Sequence, residues 1–243
     1  MGAETVFWCD RYTQQVKWTL STRRYIFKKI AAQPNHKIFE AGCGYGAVLE
    51  SLRNDGFQQT TGADIIFHDL DGSLNADAHF LPLKAHAFDI CLCHFLLLWV
   101  ADPAAVLFEM ARITKSCGWV AALAEPDYGA RIDYPPPLSD LGILQTQALQ
   151  NQGADVCIGR QLGSLFQKAG LTNVTTGIIG AEWKKDFNQT DFDNEWAVLR
   201  KDLKKKLSKK ELDNYYNIDF EETQHGNRVL HVPIFYAFGQ VRS

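Results

Sequence analysis

The spacing of apolar residues changes along this chain. Over 5–32, Val16, Leu20, Phe27 and Ile30 recur at three, four and seven residues, which predicts one long helix with a single apolar stripe. Pro34 and Asn35 end it. Short apolar runs then alternate with amphipathic ones. The runs predict strands at 37–41, 59–64, 88–93, 118–124, 174–183 and 229–239. Helices are predicted at 47–55, at 104–113 opened by Asp102-Pro103, at 138–150, at 160–169 closed by Gly170, and at 190–216. Residues 125–138, with three consecutive prolines, read as a long loop. Strands alternating with helices imply an α/β protein whose mostly parallel sheet is covered on both faces.

Length and charge narrow the picture. At 243 residues and 46% hydrophobic, the chain can hold one large α/β core or two small ones. A formal net charge of -3 predicts no general nucleic-acid footprint. Lysines 201, 204–206, 209 and 210 sit among Asp202, Glu211 and Asp213, so that run reads as a solvated helix face. No run of about 18 apolar residues predicts a membrane helix, and the first residues do not read as a secretory signal. Six cysteines without a C-x-x-C pair read as reduced thiols of a cytoplasmic protein, with no zinc site and no other metal expected.

The sharpest local feature is KIFEAGCGYG, residues 37–46. A strand ends in Glu40, three glycines follow at every second position (Gly42, Gly44, Gly46), and a helix begins. Glycines allow positive φ and close approach, and the helix N-terminus offers unpaired N–H groups. A carboxylate at position 40 would repel a pyrophosphate but accept from an ammonium. Asp64 ends the next strand, where a carboxylate grips a ribose diol in doubly wound sheets. A ligand with a ribose, an ammonium and no phosphate suggests S-adenosyl-L-methionine.

At these residues the chain resembles the class I S-adenosylmethionine-dependent methyltransferases, in the small-molecule subgroup that includes the quinone-biosynthesis enzymes. The carrying stretches are IFEAGCGYG, TGADI, ADAHFLPLKAHAFDICLCHFLLLWVADP and LFEMARITKSCGWVAALAEPD. The resemblance implies a doubly wound Rossmann-like sheet with an antiparallel last strand. It implies one domain over 1–243: a helical cap at 1–33, a cofactor-binding core at 36–183, a helical insertion at 186–228 and a final strand at 229–243. In such a site Glu40, Gly42, Cys43, Gly44, Gly46, Asp64 and Ile65 line the cofactor. Asp77 with Ala78 holds the adenine, and His94 and Phe95 lie alongside. The cap helix places Tyr12 and Trp18 at the pocket and Arg23 on the methionine carboxylate. Only 65–76 separates Asp64 from Asp77, too short for the family's helix and third strand together, which leaves Asp69 and Asp71 as alternative adenine partners.

Methyl transfer from a sulfonium needs positioning and desolvation more than a nucleophile. The loop after residue 124 supplies Asp127, Tyr128 and Arg131 as candidates to orient an acceptor or remove its proton. The partner so implied is a small-molecule methyl acceptor. A non-catalytic S-adenosylmethionine-binding module, a methyltransferase of protein or RNA and, on fold alone, a nicotinamide oxidoreductase are the other readings; Glu40 and the glycine spacing argue against the last.

Overall fold

A computed structural model describes residues 3–66, 72–180 and 187–243, apart from the side chains of Ala3 and Glu4. Asp69, Asp71 and the end of the strand expected at 174–183 lie outside the described residues. The chain forms two compact units. The first takes Met1–Glu125, Ile158–Ile179 and Ile234–Ser243; the second takes Pro126–Cys157 and Gly180–Pro233.

The first unit holds a sheet of seven strands. They are β1 (Ile38–Ala41), β2 (Thr60–Asp64), β3 (Ser73–Asn75), β4 (Phe88–Cys93), β5 (Thr114–Pro126), β7 (Thr172–Ile178) and β9 (Ile234–Gln240). Their order is β3-β2-β1-β4-β5-β9-β7. The pairs β1–β2, β1–β4, β2–β3 and β4–β5 are parallel, while β9 runs antiparallel to β7. The short flank after Asp64 keeps its third strand: β3 pairs Asp64 with Asn75.

Helices α1 (Ala3–Lys29), α2 (Ala47–Asn54), α3 (Pro103–Ile113) and α5 (Leu162–Lys168) belong to this unit. One core cluster joins Val16, Ile26 and Phe27 of α1, with Ile30 just after it, to Val48 and Leu52 of α2 and to Ile38, Ile90, Leu92, Ala121, Leu123 and Phe238 of the sheet. The Asp102 side chain accepts from the amides of Ala104 and Ala105, and Pro103 stands where the helix has no N–H to lose.

In the second unit α4 (Pro136–Asn151), α6 (Gln189–Leu203) and α7 (Lys209–Gln224) enclose Leu138, Leu141, Ala148, Trp196, Leu199, Leu203 and Leu212. Strand β6 (Ile132–Tyr134) pairs antiparallel with β8 (Val229–His231). That pairing puts Ile132–Tyr134, part of the loop expected at 125–138, in the unit that holds the insertion. Two other expectations change. Residues 190–216 form two helices, because Ser208 and Glu211 build a capping box that starts α7 afresh. Residues 229–239 form two strands in different sheets, parted at Pro233, which has no N–H for a ladder. The rings of Phe187, Phe192, Trp196, Tyr216 and Phe220 pack tilted or edge-on against one another as an aromatic cluster of this unit, with only Tyr216 and Phe220 stacked.

Candidate cofactor site

The turn between β1 and α2 is built on left-handed backbone. Gly42 has φ 69° and Gly44 φ 48°, values an L side chain rarely adopts. Both are also crowded: a Cβ on Gly42 would lie 2.6 Å from Leu96 Cδ1, and one on Gly44 would lie 2.8 Å from Tyr12 Cε2. The amides of Gly42 and Cys43 donate to the Ala63 carbonyl at 2.8 and 3.0 Å. Asp64 completes the turn, accepting from Gly44 N at 2.8 Å and Ile66 N at 2.9 Å. From β3, the Asn75 side-chain amide donates to the carbonyls of Asp64 and Ile65. The sequence reading missed Asn75, which only the parallel pairing of β3 brings there.

Glu40 is 2% exposed, and its Oε2 is the one buried side-chain oxygen or nitrogen without a hydrogen-bond partner among the described residues. Burial pushes its carboxyl up to about 8; Arg23 pulls it down and Asp64 adds to the rise. An orphaned buried acid is costly unless something completes it. Its position, two residues before a bare left-handed turn, fits a ligand that brings a cationic donor. Glu40, the crowded glycines and Asp64 therefore fit S-adenosylmethionine, with its ammonium and ribose hydroxyls.

Helix α1 lays one stripe along this region. Tyr12, Val16, Thr19, Arg23, Ile26 and Ile30 follow each other at three or four residues. The lower half of the stripe is apolar and enters the core. On and beside its upper half the polar residues Gln14, Thr19, Thr22 and Arg23 are buried. Tyr12 packs on Gly44, and its hydroxyl is pushed upward by burial and by Asp64. Thr19 Oγ1 donates to the Gln15 carbonyl and lies 2.9 Å from His94 Nε2, which makes His94 the donor in that pair. Desolvation, with Arg23 nearby, lowers His94 to about 3, so the imidazole is neutral at physiological pH. Phe95 sits edge-on to it at 4.8 Å, in left-handed backbone at φ 52°.

Arg23 has a different partner from the one the resemblance implies. Its Nη2 donates to Ser51 Oγ at 2.8 Å and Asp55 Oδ2 at 2.6 Å, so it ties α1 to the last turn of α2. The alternating pattern of α1 could not show this, because Asp55 is 32 residues away. Trp18 is 44% exposed, with the Arg11 guanidinium 4.7 Å over its ring.

Asp77, beside Ala78, accepts from His79 N at 2.9 Å and His79 Nδ1 at 2.6 Å. These bonds, the backbone one first, hold its carboxyl below the usual range. His79 Nε2 in turn accepts from Asp102 N, the cap residue of α3. Asp77 thus stays ionised and oriented, with 46% of its side chain exposed. Asp127, Tyr128 and Arg131 belong to the second unit. There Arg131 is held by Asp133 and Gln145, and Asp133 also receives Arg228. No group of three or more His, Cys, Asp or Glu able to hold a metal occurs among the described residues.

Residues 39–122 match the methyltransferase domain family. The chain is 31% identical over 107 residues to the ubiquinone biosynthesis O-methyltransferase of Hydrogenovibrio crunogenus, a match covering 38% of this chain and 44% of that protein. The matched stretch spans less than half the length of that curated relative. A S-adenosylmethionine-dependent methyltransferase structure from Thermotoga maritima superposes with a TM-score of 0.57 at 16% identity, over 98% of this chain and 97% of that one. The Haemonchus contortus phosphoethanolamine N-methyltransferase 2 structure, in complex with S-adenosyl-L-methionine, gives 0.55 at 11% identity, over 96% and 57%. The fold is that of the class I methyltransferases. Residues 39–122 are thus similar to methyltransferase domains, and the fold matches that of solved S-adenosylmethionine-dependent methyltransferases.

Proposed function

We propose that the protein moves a methyl group from S-adenosylmethionine to a small-molecule acceptor by in-line displacement. The observation that carries the reading is the buried, unpartnered Oε2 of Glu40 beneath the Gly42–Gly46 turn. In this reading Glu40 accepts from the ammonium, Gly42 and Gly44 let the backbone lie against the cofactor, and Asp64 accepts from the ribose. Asp77 and Ala78 meet the adenine, and Ile65, His94 and Phe95 flank it. The bound cofactor supplies an electrophilic methyl on a sulfonium with a neutral leaving group. The chain's own part is orientation and exclusion of water. A neutral His94 fits that role, since it adds no positive charge beside a cation. Asp127 and Tyr128 remain the candidates for handling an acceptor proton.

No described helix is long and apolar enough to cross a membrane. The six cysteines are all free thiols, which supports a setting in the reducing cytoplasm.

Calorimetric titration with S-adenosylmethionine and, separately, NADH tests the cofactor. Binding of the first alone is expected. Methylated product from a panel of O-, N- and C-acceptors tests the reaction, and tight cofactor binding with no turnover on any acceptor would favour the non-catalytic module.

A further inference from the structure

The Glu125 carboxylate is fully buried at the end of β5, with no arginine or lysine bonded to it among the described residues. Its Oε1 accepts from the amides of Leu96 and Leu97, each at 3.0 Å, and its Oε2 accepts from Leu98 N at 3.3 Å. Three consecutive N–H groups of the turn after β4 thus converge on one side chain, from 27 to 29 residues away. The turn is not closed by its own backbone alone. Phe95 N reaches across to the Ala124 carbonyl at 2.9 Å, and Phe95 itself sits at positive φ. The side chain that this turn presents is Leu96, which lies against Gly42 closely enough to exclude a Cβ.

We infer that Glu125 is a positioning residue for the cofactor site: by gathering the 96–98 amides it fixes Leu96 against Gly42, and so sets the floor on which the cofactor lies. This rests on the proposed cofactor reading. Glu125 touches neither cofactor nor acceptor in this role; it acts through Leu96. It is also the last residue of the first segment of that unit, so the chain first enters the second unit from the point at which the cofactor floor is anchored.

A double-mutant cycle on cofactor binding tests it. Wild type, Glu125→Gln, Leu96→Ala and the double variant are titrated calorimetrically with S-adenosylmethionine, and amide exchange is followed over 94–99. Glutamine keeps one carbonyl oxygen for two of the amides and turns an NH2 toward the third. Faster exchange at Leu98 is therefore expected with the fold intact. Each single variant is expected to raise Kd about tenfold, and the double variant no further, because both act through one contact. A merely structural carboxylate would lower stability without such coupling. Additive losses, or an unchanged Kd in Glu125→Gln, would overturn the assignment. Wild type that fails to bind while its 96–98 amides stay protected would instead sink the cofactor reading, and with it the role given to Leu96.

Discussion

Glu40 and Glu125 are two buried acids at the carboxyl ends of strands in one sheet, on β1 and β5. Desolvation raises both, to about 8 and about 7. Their partners differ. Glu125 has three amide donors from its own chain; Glu40 has one oxygen with none. Equal burial therefore carries opposite meanings. A buried acid whose lone pairs are filled by backbone holds a turn in place, and one left open beside a left-handed turn is the acid that the proposed reading completes with a ligand. The hydrogen-bond accounting separates them where burial and pKa do not.

The contrast breaks most visibly at Glu125. Glu125→Ala removes the acceptor of three buried amides, and at about 1–3 kcal/mol for each unsatisfied group a loss of roughly 4 kcal/mol is expected in urea unfolding. A loss comparable to that of an ordinary surface mutation would erase the distinction. Next comes Asp64, which already receives two amides yet remains partly open. Asp64→Ala is expected to weaken S-adenosylmethionine binding by about 2–4 kcal/mol, since charged hydrogen bonds are worth about that range together; an unchanged Kd would remove Asp64 from the ribose.

Glu40 sharpens the comparison through pH. Its folded pKa lies above its unfolded value, so its contribution to stability is complete below the unfolded carboxylate range and is lost as pH rises toward about 8. The wild type should fall relative to Glu40→Gln by about 1.4 kcal/mol per pH unit across that window, and run parallel to it above. Parallel curves throughout would mean that Glu40 is ionised in the free protein. The smallest signal is in the protons. If Glu40 is protonated alone and ionised against the ammonium, cofactor binding at pH 7 releases up to about one proton. Titrations in buffers of different ionisation enthalpy should show that release in the wild type and lose it in Glu40→Gln.

The first unit was legible because its signals are local. Phe88–Cys93 is a strand with the limits its apolar run predicts, and Asp102-Pro103 opens α3 as capping chemistry requires. The glycine turn announces itself by composition alone. What the sequence hid depends on distant partners. Nothing around Glu125 hints at amides almost thirty residues back. Nothing around Arg23 hints at Asp55, and the periodicity of 190–216 runs smoothly through a helix break. Ile132–Tyr134 reads as proline-bounded loop because a three-residue strand has no period, and only β8, far along the chain, makes it one. The limits of the second unit follow from that pairing and were invisible for the same reason.

The order β5-β9-β7 has a consequence for how the protein is made. Strand β9 is the last in chain order among those described, yet it lies inside the sheet, between two strands synthesised earlier. Until 234–240 emerges from the ribosome, β5 and β7 each present an unpaired edge, open to any strand that arrives first. Meanwhile the second unit, drawn from residues 126–157 and 180–233, is already complete in sequence. The nascent chain therefore finishes its insert before its host, and the final strand is inserted into a slot rather than added to a rim.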